Sequence, residues 1–118
     1  MVERRSFPPF VETITVTTNG SGAASVTSTN KITGEIIGIA YAKGTVNAST
    51  SAVVASASPA YTLDTYDVNG GSAYRAIGAQ IQGSTDAFAK IPITGSAVTV
   101  TVTGVAASKT FTVYIYYK

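Results

Sequence analysis

The sequence predicts an all-β protein: a single-domain antiparallel β-sandwich of about seven or eight short strands, with a jelly roll as one way to wind it. Thr, Ser, Val, Ile, Ala and Gly dominate the chain. β-branched side chains are stiff at χ1 and pack better on a pleated sheet than on a helix. Apolar and polar residues alternate with period two in one segment after another, and no segment long enough for a helix keeps a period of 3.6. Turn residues separate these segments at short intervals.

Residues 1–9 open the chain as an extended arm, and residues 10–118 form the sandwich domain. The arm cannot be helical, because "RRSFPPF" places Ser6 and Phe7 before two prolines. In "FVETITVTT", Phe10, Ile14 and Val16 fall on one face and Thr13, Thr15 and Thr17 on the other. "NGSG" (Asn19 to Gly22) reads as a hairpin turn, since Asn-Gly tolerates positive φ. "AASVTST" is then the return strand, with Ala24 and Val26 inward. "ITGEIIGIAYA" is apolar on both faces, which predicts a central strand. "STSAVVASA" is the fourth strand. "AYTLDTY" is the fifth, with Tyr61, Leu63 and Thr65 alternating against Asp64 and Tyr66.

From Asp67 to Phe88 the pattern fades, and the sequence predicts a long loop with a short strand or helical turn around Tyr74 to Ile77. Loops this long in a compact domain usually contact something. "FAKIPITG" is a short strand that Pro92 assigns to an edge. "SAVTVTVTG" turns Val98, Val100 and Val102 inward and Thr99, Thr101 and Thr103 outward. The short turn "VAASK" joins it to the last strand, so the final pair is expected to form a hairpin.

Composition excludes several functions. The chain has no Cys and no His. That removes disulfides, thiolate metal sites, and Ser-His and Cys-His nucleophile pairs. Charged residues are 12% of the chain, about half the usual quarter. The net charge of +2 is spread along the chain apart from Arg4 and Arg5, which is no footprint for specific nucleic-acid binding. No apolar run approaches the length a membrane helix needs. No apolar stretch follows the charged start "MVERRSFPPF", so the chain is expected to be made and folded in a cytoplasm.

Asp64 and Asp67, in "DTYDVNGG", are the one carboxylate cluster. The competing reading is a turn in which Asp67 and Asn69 bond their own backbone ahead of Gly70 and Gly71. "DVNGGSAYRAIG" lacks the further oxygens and closing Glu of a calcium loop. The sequence therefore predicts no catalytic residue, no metal and no cofactor. Arg75 is the one basic residue of the long loop; it either meets an acidic partner or forms a local ion pair with a nearby Asp.

The closing "KTFTVYIYYK" frames the functional question. Phe111, Val113, Ile115 and Tyr117 fall on one face, and Thr112, Tyr114 and Tyr116 on the other. A strand with one face in water should show a polar row. Interfaces are enriched in Tyr and depleted in Lys, Glu and Asp, and the whole chain shares that depletion. The sequence thus predicts an oligomeric or surface-attached structural protein, with Tyr114, Tyr116, Tyr74 and Arg75 as candidate interface residues. The alternative is that the arm or a loop covers those tyrosines within one chain.

The stretches "ITGEIIGIAYAKG", "AYRAIG", "AFAKIPITGSAVTVTVTG" and "KTFTVYIYY", in that order, resemble small virion proteins of tailed bacteriophages, the capsid decoration or head-associated proteins. The resemblance covers roughly residues 32 to 117 and leaves the arm out. It implies a non-enzymatic virion structural protein that binds the major capsid protein on the outside of a phage head and stabilises the shell. It also implies a homo-oligomer, with a trimer favoured. Under this resemblance Phe7 and Phe10 would anchor the arm, and Arg4 and Arg5 would meet acidic shell residues. A receptor- or glycan-binding domain of a tail or fibre is the alternative, followed by a pilus-like subunit.

Overall fold

The computed structural model describes residues 10–47, 51–57, 60–76, 79–80, 88–89, 91–104 and 107–118. Its strands are β1 Phe10–Thr17, β2 Ala24–Thr27, β3 Ile32–Ala42, β4 Ser51–Ala57, β5 Ala60–Asp67, β6 Ala73–Ala76, β7 Ala79–Gln80, β8 Phe88–Ala89, β9 Ile91–Ser96, β10 Val98–Val102 and β11 Thr110–Tyr117. A 3-10 turn, Val68–Gly70, is the only helical segment among the described residues. The protein is a β-sandwich of two antiparallel sheets. The first has the order β1-β11-β3-β6, with β9 beside β6 on the same flank of β3; the second has the order β2-β10-β4-β5. β7 and β8 form a small pair of their own.

The pairings give the winding. β1 pairs β11, β2 pairs β10, β3 pairs β9, and β4 pairs β5, all antiparallel. The first four strands thus run against the later strands as one long ribbon, and successive pairs of that ribbon fall in alternate sheets. This is jelly-roll winding. It corrects two expectations. "NGSG" does not close a hairpin, because β1 and β2 lie in different sheets. The turn is still tight: Asn19 Oδ1 accepts from the N–H groups of Ser21 and Ala23 at 2.9 and 3.1 Å. Likewise β10 and β11 lie in different sheets, so the chain crosses the sandwich between them.

The core forms where the inner faces meet. Val98, Val100 and Val102 are buried, as their alternation predicts, and so are Phe111, Val113 and Ile115. β3 is central, flanked by β11 on one side and β6 and β9 on the other. Phe10 departs from the expectation. It lies on the inner-face side of β1 with Ile14 and Val16, but at the strand end, where it is 60% exposed and stacks on Tyr117. Glu12 is the buried residue instead, and it accepts hydrogen bonds from Asn30 N and Nδ2 at 3.4 and 3.2 Å.

β5 shows a second departure. Its register against β4 shifts between Val54 and Ala55, so that Val54 faces Asp64 while Ala55 faces Thr62. Leu63 is the extra residue of a β-bulge. Simple alternation sets Asp64 and Tyr66 against Tyr61. The bulge resets the phase, so Tyr61, Asp64 and Tyr66 all turn toward the opposite sheet. In the segment after Asp67, β6 is the short strand expected around Tyr74, and a 3-10 turn precedes it.

Candidate functional site

Paired residues on neighbouring strands share a face, so the registers lay out the outer side of the first sheet. Tyr116 sits between Val11 of β1 and Gly38 of β3. Tyr114 sits between Thr13 and Ala40, and Ala40 in turn pairs with Tyr74 of β6. Thr15, Thr112 and Ala42 continue the surface. Across β1, β11, β6 and the second half of β3, no described charged side chain points outward. Val11 is 49% and Tyr74 56% exposed.

Gly38 shapes this face. A Cβ there would lie 2.8 Å from Tyr74 Cε1 and nearer still to Cζ and the hydroxyl. Without one, the Tyr74 ring lies across the strand and reaches Tyr116 edge-on, with centroids 5.9 Å apart at 67°. A glycine inside a central strand commonly marks such a close approach. The predicted Tyr114, Tyr116 and Tyr74 therefore come together on one face.

Arg75 does not join them. It pairs with Ile39 on the inner side and reaches the second sheet, where Nε and Nη2 donate to Asp64 Oδ2 and Oδ1 at 2.7 and 3.1 Å. Of the two sequence alternatives, the structure has the local ion pair. Tyr41, buried on β3, donates its hydroxyl to the same Asp64 Oδ2 at 2.8 Å. Tyr66 stacks on Tyr41 at 4.5 Å, and the Arg75 guanidinium lies 5.2 Å from the Tyr66 ring centre. Burial, then the hydrogen bond to the Asp64 carboxylate, pushes the Tyr41 phenol far above its ordinary range. The hydrogen bond to Asp64 likewise raises the Arg75 guanidinium.

These four side chains join the two sheets along the flank where β6 faces β5. Tyr61 adds a second tie there by donating to the carbonyl of Pro92 at 2.6 Å. The role of Asp64 escapes simple alternation, because it depends on the bulge at Leu63.

Asp64 and Asp67 do not converge. Asp67 caps the 3-10 turn, accepting from Asn69 N at 3.0 Å. Among the described residues no three His, Cys, Asp or Glu side chains gather as a metal site, and no helix is long and apolar enough to cross a membrane. Arg4, Arg5 and Phe7 lie outside the described residues, and so does the arm. Compared with known proteins, the chain matches no family model, no curated sequence and no solved structure.

Proposed function

We propose that this protein is a non-enzymatic virion structural protein, a homo-oligomer that decorates the outside of a phage head and seats its tyrosine face on the major capsid protein. The observation that carries the reading is the uncharged outer face formed by β1, β11, β6 and the second half of β3. Tyr74, Tyr114 and Tyr116 stand there among Val11, Thr, Ala and Gly, and no described lysine, arginine or acid of these strands points out of this patch. Tyrosine offers a large rigid area with a polar tip and suits a surface that is covered by a partner. The resemblance to head-associated proteins supplies the partner and the compartment. The four-residue tie between the sheets supports a scaffold role, since it commits the charged pair of this flank, Asp64 and Arg75, to holding the sandwich closed.

The test is co-sedimentation of the purified chain with heads of a tailed phage from which it has been stripped. Saturable pelleting is expected, with at least a tenfold loss of affinity in the Tyr114→Ser, Tyr116→Ser variant while its unfolding midpoint stays near that of the parent. No pelleting with stripped heads would overturn the proposal. Binding on a glycan array instead would favour a receptor-binding domain.

A further inference from the structure

The sandwich has four flanking edges, and three are blunted. Natural proteins protect edges with short strands, charges, prolines and bulges, because an open edge offers unpaired N–H and C=O groups to another chain. β2 is four residues long. β5 carries Asp64 and Asp67 and the bulge. The far edge of the first sheet is divided between β6 and β9 and contains Arg75 and Pro92. β1 is neither short nor bulged nor interrupted by proline, and no charge stands on its outward side. Its eight residues pair with β11 in unbroken register from Phe10↔Tyr117 to Thr17↔Thr110. It holds no proline, and its single charge, Glu12, is turned inward and 7% exposed.

The open groups can be identified. Thr18 N donates to the carbonyl of Lys109 at 2.9 Å, one step beyond the Thr17↔Thr110 pair. Hydrogen-bonded and non-hydrogen-bonded pairs alternate along an antiparallel ladder. Val16, Ile14, Glu12 and Phe10 therefore bond to β11, while Val11, Thr13, Thr15 and Thr17 direct their backbone groups away from it. The Thr110 carbonyl accepts from Thr45 N at 2.8 Å on its other side, which fixes the same phase.

We propose that the free edge of β1 pairs antiparallel with the same edge of a second copy of this chain, about a twofold axis at Ile14. Val11 then faces the partner's Thr17 and Thr13 faces the partner's Thr15, and every outward N–H and C=O on these residues is matched. No outward charge, proline or bulge opposes the pairing, which none of the other three described flanking edges offers. An isologous contact of this kind closes at two copies, against the three that the resemblance implies. The axis is perpendicular to the sheet, so the tyrosine faces of both copies lie on one side. The pairing stands independently of the proposed function, because it rests on the backbone of β1 and not on the tyrosines.

The experiment is sedimentation of the full chain over a dilution series, joined to amide hydrogen exchange read residue by residue. A dimer is expected. In it, the amides of Val11, Thr13, Thr15 and Thr17 should exchange at least tenfold more slowly than after dilution to monomer, with those of Glu12, Ile14 and Val16 unchanged. Thr13→Pro removes an N–H that β11 does not use, and Thr15→Lys places a charge on the edge. Either should give a folded monomer by circular dichroism and sedimentation, whereas the Tyr114→Ser, Tyr116→Ser variant should remain dimeric. A wild-type monomer at all concentrations would overturn the inference. So would a dimer that survives both edge variants, or edge protection that does not change on dilution, which would place a segment of the same chain there.

Discussion

Replacing Asp64 with Ala tests whether the tie between the sheets depends on one carboxylate serving two donors. The Asp64 side chain is 8% exposed. It accepts from the Tyr41 hydroxyl and from both Arg75 nitrogens. Removing it leaves the buried Tyr41 hydroxyl without an acceptor, which costs about 1–3 kcal/mol. The ion pair adds less, below about 1 kcal/mol, because the Arg75 side chain is 43% exposed and screened by solvent. Asp64→Ala should therefore destabilise by about 1–4 kcal/mol.

Tyr41→Phe removes the donor but leaves Asp64 bound to Arg75, and should cost about 1–1.5 kcal/mol. In the double variant no orphaned hydroxyl remains, so its cost should fall short of the sum of the singles by about 1–2 kcal/mol. Urea unfolding of the four proteins closes the cycle. Additivity within about 0.5 kcal/mol would refute the shared-acceptor account.

Other outcomes follow from the same geometry. Because the Tyr41 phenol is raised while the unfolded chain ionises near pH 10, its contribution to stability is complete below about pH 10 and shrinks as pH rises beyond it. Urea midpoints should fall above that pH in the parent, and fall less in Tyr41→Phe. Gly38→Ala should push the Tyr74 ring off the strand. That ring is exposed and can swing away, so the stability change should stay below about 1 kcal/mol. The Tyr74–Tyr116 contact should be lost, as read from their cross-peaks by NMR. Val100→Asp places an unpaired charge between the sheets at a fully buried position; circular dichroism should show no folded population at room temperature.

Strand identity was legible wherever period-two alternation ran without a break. Val98 to Val102 and Phe111 to Ile115 are examples, as is the two-sided apolar pattern that made β3 central. Strand partnership was not legible. A short turn such as "NGSG" or "VAASK" fits a hairpin and a crossing between sheets equally well, and only packing of the whole ribbon chooses between them. Phase was lost at the bulge near Leu63, where one extra residue turned Asp64 and Tyr66 inward. The gathering of Tyr74, Tyr114 and Tyr116 was half visible. Tyr114 and Tyr116 share a strand parity, but Tyr74 joins them only because β6 docks on β3 opposite Ala40 and Gly38 leaves room for its ring.

The pairing of β1 with β11 bears on how the chain is made. β11 fills the gap between β1 and β3, so the first sheet has no continuous interior until β11 has been translated. While the ribosome is still extending the polypeptide, Ile14 and Val16 on β1 and Ile36 and Ile39 on β3 lack the strand that belongs between them. Nascent chains should thus remain protease-sensitive until β11 emerges, then gain resistance in a single late step. The first sheet thus waits for its central partner, although the other described strands are already synthesised.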